Sequence, residues 1–171
     1  MKKLKKIEDI NKKAEATFVI EERKFQMIEY LLFELFDKKF VLEISNIIEV
    51  IKVPFITLIP KSPDYVLGLI NLRNEILTVL DLRTIMKVKE SEITDESRII
   101  VTINDSTKIG FLVDRVKGII GEEMEGIKPV EATEENKFLK GAFEFGPQIV
   151  GIIDFKKLIS ELWVEKWMKN Y

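Results

Sequence analysis

The segment YVLGLINLRNEILTVLDLRTIM, Tyr65 to Met86, has an echo later in the chain, and the fold is read from that pair. Laid without a gap over FLKGAFEFGPQIVGIIDFKKLI, Phe138 to Ile159, it puts Gly68 on Gly141, Ile76 on Ile149 and Asp81 on Asp154. Apolar positions coincide along both strands and into the run after each aspartate, which is the mark of an internal repeat. A second pair agrees in order: FVLEISNIIEVI (Phe40 to Ile51) meets IGFLVDRVKGII (Ile109 to Ile120), and Pro60 meets Pro129. The chain thus reads as two related halves, over roughly residues 28–88 and 96–159.

Each half has the same plan. MIEYLLFEL and FVLEI, joined by DKK, read as a hairpin, and RIIVTI and KIGFLV, joined by NDST, read as its counterpart. A short amphipathic turn or helix comes next, SNIIEVI in one half and DRVKGII in the other. Then come a strand that ends at a proline and a strand–turn–strand closed by an aspartate. Asp81 and Asp154 each precede a helix-like run, the place where an aspartate caps orphan backbone donors. Five short strands per half predict a mainly β chain: two pseudo-repeated five-stranded antiparallel barrels, SH3-like, sharing a core, with short helices and a C-terminal helix. The expected bounds are residues 1–28 for an N-terminal extension, about 29–90 and about 96–157 for the barrels, and about 154–169 for the last helix. The polar block VKESEITDES is the boundary loop.

Composition narrows the function. The chain has 171 residues, 46% hydrophobic and 33% charged, which suits a compact unit with a real core. A net charge of -2 supplies no polycationic field, so nucleic acid is not an expected partner. The basic start MKKLKKIEDINKK has no apolar stretch behind it and does not read as a secretory signal. No apolar run reaches the roughly 18–20 residues of a membrane span, so membrane insertion is not expected and a cytoplasmic location is. There is no Cys and no His. Thiolate chemistry, disulfides, the commonest general base and the commonest transition-metal ligand are all missing. Neither GxxxxGK[ST] nor GxGxxG occurs. Carboxylate pairs and Lys or Tyr chemistry remain as routes to catalysis, and no spacing points to one. No catalytic residue, metal or cofactor is expected.

Features present in both halves are best explained by folding; features present in one are candidates for function. The turn Asn71-Leu72-Arg73-Asn74 becomes Glu144-Phe145-Gly146-Pro147 in the echo, so the hairpin does not require an arginine. Glu49, in SNIIEVI, has Gly118 as its echo. The plain reading of Arg73 is a solvated turn residue. With Glu49 as partner it becomes a surface ion pair, which contributes only about 0–1 kcal/mol and is better suited to shaping a recognition surface.

These residues resemble the CheW family of chemotaxis coupling proteins. The features that carry the match are FELFDKKFVLEISNIIEVI, FITLIPKSPDYVLGLINLR, ILTVLDLR, IGFLVDRV and FLKGAF, and they cover roughly Tyr30 to Ser160. The resemblance assigns residues 29–171 to a CheW-like domain and implies a non-enzymatic adaptor. Its implied partners are the regulatory domain of a CheA-type histidine kinase and the cytoplasmic tip of methyl-accepting chemotaxis receptors, with recruitment to receptor arrays at the inner face of the membrane. It also implies the partner-binding residues. Arg73 matches the arginine of an N-L-R-G motif, with Asn71 and Leu72 before it, and Glu49 matches its acidic partner. Ile47, Val50, Leu72 and the pair Val113-Asp114 match positions near a groove where a receptor helix docks. Gly68 matches a glycine near the kinase-facing edge. Two departures stand out. Asn74 replaces the motif's glycine and tolerates positive φ; Thr78 replaces a proline, restores a backbone donor and is expected to alter a barrel edge.

Two other readings compete with the adaptor: an enzyme using carboxylates, and a stand-alone ligand-sensing or scaffold module of the same fold with a pocket between its barrels. At the termini, Leu4, Ile7, Ile10 and Ala14 recur at helical spacing, and the extension reads as frayed or loosely packed. Leu158, Leu162, Trp163 and Trp167 read as a stripe packing onto the second barrel, with docking or membrane-surface contact as the alternative. GEEMEG reads as solvated, because it lacks the alternating ligands of a calcium loop.

Overall fold

The computed structural model describes residues 4–14 and 27–162. Residues 4–14 are helical and exposed throughout. Ten strands come after them: β1 (Met27–Leu35), β2 (Lys38–Glu43), β3 (Ile47–Lys52), β4 (Val66–Leu72), β5 (Glu75–Asp81), β6 (Arg98–Asn104), β7 (Thr107–Val113), β8 (Arg115–Glu123), β9 (Leu139–Phe145) and β10 (Gln148–Ile153). Two short helices close the two halves, α1 (Leu82–Ile85) and α2 (Phe155–Glu161). Both begin at the expected aspartates: Asp81 Oδ1 accepts from Arg83 N at 2.9 Å and Asp154 Oδ1 from Lys157 N at 3.0 Å. Trp163 and Trp167 lie outside the described residues.

The strands form two five-stranded sheets, β8-β1-β2-β10-β9 and β3-β6-β7-β5-β4. This corrects the expectation that each barrel is one contiguous half. The hairpin β1–β2 sits in a sheet whose other three strands come from the second half, and β6–β7 sits among three strands of the first. The physical reason lies in the hairpin flanks. β1 takes β8 along its outer edge and β6 takes β3, while β10 and β5 join β2 and β7 in parallel. A parallel neighbour needs a long crossover: β2 reaches β10 through β3 to β9, and β5 reaches β7 through α1, the boundary loop and β6. The sheets are therefore mixed and not wholly antiparallel.

Two strand assignments also change. SNIIEVI and DRVKGII are mostly strand: a single 3-10 turn covers Ile44–Asn46, but Ile47–Lys52 is β3 and Arg115–Glu123 is β8. FITLIP is not a strand. It makes one bridge, Thr57 to Leu69, with both hydrogen bonds at 2.8 Å. That bridge covers the free edge of β4 with chain continuing from β3, and Lys128 to Ala142 does the same for β9 with chain continuing from β8. Each sheet is thus closed into a barrel. Gly68 marks the closure: its φ is +145, and a Cβ there would collide with the Thr57 carbonyl. Bulges repeat as well. The register slips between Ile47 and Glu49 in β3 and beside Gly118 in β8, and again next to Gly68 and Gly141.

Alternate residues of the hairpins serve different cores. Tyr30, Leu32 and Val41 fill the interior of the β1 barrel, and Val79, Ile99 and Val101 that of the β6 barrel. Leu31, Phe33, Leu35, Ile100, Phe111 and Val113 meet between the barrels, joined by Phe155, Leu158 and Leu162 from α2 and its C-terminal end. A strand apolar on both faces reads as a continuous hydrophobic run, which is why YLLF is buried without interruption. Thr78, expected at an edge, is 1% exposed in β5, between β4 and β7.

Strand exchange predicts that residues 28–90 and 94–171 expressed singly show no cooperative melting. Each half has about 60 residues of strand and turn and lacks the strands that flank its hairpin. Mixing the two fragments restores the transition; independent transitions from the separate fragments would contradict the exchange. Tyr30 yields a second prediction. It is fully buried, its hydroxyl makes no hydrogen bond among the described residues, and burial, then Glu43 and Glu122, push its pKa up to about 12 from 10.0. Its contribution to stability is whole below pH 10 and is lost as the pH rises toward 12. Tyr30→Phe should match or exceed the parent at pH 7, because an unpaired buried hydroxyl costs about 1–3 kcal/mol, and should flatten the alkaline fall. Urea unfolding at about pH 7 and about pH 11 measures both.

Candidate functional site

Arg73 and Asn74 are the two central residues of the β4–β5 turn, between paired Leu72 and Glu75. Both have positive φ, 52 and 68, as a two-residue type I′ hairpin demands. Asn71 Oδ1 accepts from Asn74 N at 3.0 Å and braces the turn. Asn74 therefore fills the glycine's place without distortion. Arg73 is another matter. Its echo Gly146 has φ 60, so the second half puts glycine where the first puts arginine. A non-glycine residue there costs about 1 kcal/mol or more. From this turn the Arg73 guanidinium reaches Glu49 Oε2 at 2.9 Å, and the side chains are 78% and 22% exposed. The pair bridges the closing seam of the barrel, because β3 and β4 are the two end strands of its sheet.

Val50 and Leu72 are apolar neighbours in sequence of the charged pair, one exposed and one half-buried, and Ile47 packs against the shared core. Gly68 is buried at the barrel closure. Its neighbours supply a surface that sequence reasoning missed. Phe55 is 86% exposed and Leu58 79%, on either side of the Thr57 bridge. An open depression of about 1000 Å³ runs between Lys52–Ile56 and Ile93–Ser97. FITLI reads as a buried strand, so nothing in the sequence marked these side chains as outward.

Val113 and Asp114 do not join the β4–β5 turn: their partners lie elsewhere. Val113 is fully buried in the shared core. Asp114 Oδ2 accepts from Phe36 N at 2.6 Å, and Oδ1 from Arg83 at 3.0 Å and Ser91 at 2.6 Å. Arg83 is only 3% exposed and also grips Asp81 with two bonds, at 2.9 and 2.8 Å. The Asp81 hydrogen bond, aided by Asp114 and opposed by burial, raises the Arg83 pKa further. Arg83 thus joins the end of β5, the boundary loop and the β7–β8 junction. Its echo is the exposed Lys156. The same asymmetry that marked Arg73 could have marked Arg83, yet here it signals a buried clamp.

Among the described residues no acidic cluster is arranged to hold a metal, and no helix is long and apolar enough to cross a membrane. A family model described as CheW-like domain matches residues 29–162. The Chemotaxis protein CheW of Thermotoga maritima is 31% identical over 139 residues, covering 81% of this chain and 91% of its own. That of Helicobacter pylori is 26% identical over 138 residues, covering 80% and 84%. The crystal structure of the scaffolding protein TtCheW from Thermoanaerobacter tengcongensis superposes with a TM-score of 0.72 at 29% identity, over 78% of this chain and 88% of that one.

The two arginines predict opposite stability effects. Arg83→Leu leaves the buried Asp81 and the part-buried Asp114 carboxylates without their cation and should cost about 3–5 kcal/mol. Arg73→Gly relieves a left-handed residue and gives up a surface ion pair, so it should fall within about 1 kcal/mol of the parent in either direction. Urea unfolding separates the two. A large loss from Arg73→Gly would make the Arg73 turn a structural element.

Proposed function

The chain belongs to the CheW-like family, and on that premise we propose that it is a non-enzymatic adaptor coupling the tips of methyl-accepting chemoreceptors to the regulatory domain of a CheA-type histidine kinase. It acts by holding two partners at once. The observation that carries the site assignment is Arg73 kept at a left-handed turn position where the echo has glycine, and salt-bridged to Glu49. A group that costs stability and is mostly exposed is supported by what it binds.

The receptor tip is helical in the reading offered by the family resemblance, and an amphipathic helix docks by laying apolar side chains into a groove. Val50, Leu72 and Ile47 provide apolar surface near the Glu49–Arg73 pair, which sets the wall shape and charge of that groove. Asn71 and Asn74 hold the turn that presents the arginine. Gly68 lets the chain close tightly, so that Phe55 and Leu58 project beside it. That pair is the surface we assign to the kinase, since large exposed apolar side chains mark contact sites. Val113 and Asp114 act from behind, as core and clamp. The site of action is the cytoplasm, at receptor arrays on the inner face of the membrane.

Arg73→Glu should leave the melting temperature near that of the parent, because surface substitutions change stability by no more than about 0.5–1 kcal/mol. Receptor-tip binding should fall at least about tenfold, since the change removes a donor and sets two acids together. Combined with Glu49→Arg, part of the loss should return, and a double-mutant cycle measures the coupling apart from the fold. Normal receptor binding by Arg73→Glu refutes the assignment. Phe55→Ser with Leu58→Ser should weaken kinase binding and spare the receptor.

A further inference from the structure

The helix of residues 4–14 precedes the family-matched region and carries an unpartnered apolar stripe. Leu4, Ile7 and Ile10 are 69%, 55% and 59% exposed. Lys5, Lys6, Lys12 and Lys13 populate its other faces against Glu8 and Asp9. A helix this short is marginal in water by itself. Most of its stability must come from a surface that covers the stripe.

Such a surface lies where the extension joins the barrel. Met27, the first residue of β1, pairs with Glu123 of β8, Glu29 pairs with Gly121, and Leu31 with Ile119. These residues share one face of the ribbon, because residues directly opposite in a ladder point the same way. Gly121 has no side chain, and the Met27 methyl lies across it, at 2.7 Å from where a Cβ would stand. Met27, Ile119 and Met124 are 55%, 63% and 50% exposed. Glu29 and Glu123 belong to the same paired positions. Lys117, in the bulge beyond Ile119, is turned to Glu34 at 3.7 Å. The face is mixed: Glu123 lies opposite Met27 and Glu29 opposite Gly121, so acids alternate with apolar side chains, and the methionines make the apolar part adaptable.

We infer that residues 4–14 fold back onto this patch, seating Leu4, Ile7 and Ile10 on Met27, Ile119 and Met124 with the lysines facing the glutamates. Charge complementarity selects this occupant: the extension is basic in a chain whose formal net charge is -2. The sequence distance suffices: twelve residues separate Ala14 from Met27, and twelve residues of chain reach at most about 40 Å. Docking has a consequence for symmetry. Ile119 is the echo of Val50, so the helix covers on the β1 barrel the face that stays open on the β6 barrel, and a partner meets one such face and not two.

The chain has no cysteine, which allows a clean test. Ile7→Cys with Met124→Cys is compared with Ile7→Cys with Phe55→Cys on the other barrel, each treated with a short bismaleimide at micromolar protein. The first pair should form an intramolecular cross-link at least about tenfold faster. Glu29→Lys with Glu123→Lys, or raised salt, should remove most of that advantage. Equal rates overturn the inference, and so does a cross-linked dimer, which would place the helix on a second copy. Phosphatidylserine vesicles that capture the chain and abolish the cross-link would name a lipid surface as the occupant instead. In the unsubstituted chain, amide exchange of residues 4–14 should be slowed at least about tenfold relative to the free peptide; exchange at the peptide's rate also overturns it.

Discussion

The pairing of β1 with β8, and of β6 with β3, gives each hairpin an outer neighbour from the opposite half of the chain. Most of the architecture depends on it. Because the flanks are exchanged, the hairpins lie back to back and their outward residues, among them Leu31, Phe33, Ile100 and Phe111, form a core belonging to neither barrel alone. The β-bulges beside Gly118 and Glu49 bend the exchanged strands at matching places, and bulges increase local twist in the way a small closed sheet needs. The bridges at Thr57 and Lys128 complete the closure. A strand with its edge covered offers no template for further pairing.

Against this near-symmetric frame, the departures carry information, and burial decides what kind. Arg73 against Gly146 and Glu49 against Gly118 are differences at the surface, where the fold gains little from them. Arg83 against Lys156 is a difference in the interior, where one cation satisfies two carboxylates and a loop carbonyl at 2.6 Å. A buried charge stripped of its partner is far more costly than an exposed one. The first pair is therefore free to serve recognition, whereas the second is committed to holding the halves in register. Asp114 belongs with the second, although its sequence neighbourhood resembles a binding region.

Local signals were legible in the sequence. The capping aspartates, the tolerance of Asn74 for positive φ, the hairpins and the repeat depend on residues close together in the chain, and the Glu49–Arg73 pair came from comparing two copies. Membership of the sheets was not legible. Nothing in MIEYLLFEL says whether its outer neighbour is IIEVIK or RVKGIIGEE, since both alternate and both come after a hairpin. FITLIP misled for a related reason. Its apolar residues suit a strand, but it makes a single bridge and turns Phe55 and Leu58 to solvent. The family resemblance puts Val113 near the groove, yet its own side chain lies in the shared core.

Exchange of flanking strands also governs how the molecule is made. On a ribosome β1 and β2 emerge first, but β8, β9 and β10, which flank them, are the last strands to appear. At the roughly 5–20 residues per second of translation, the first hairpin waits on the order of ten seconds for its neighbours. The β6 barrel has all its strands once β7 is out, so the second barrel in sequence is assembled before the first. The hairpin made earliest is the last to be housed, and its apolar strands are an early client for chaperones that shield unpaired edges. A premature stop between β7 and β10 would leave one sheet whole and the other lacking strands, with half of the shared core open to water. Such products should be cleared by proteolysis instead of persisting as half-functional adaptors.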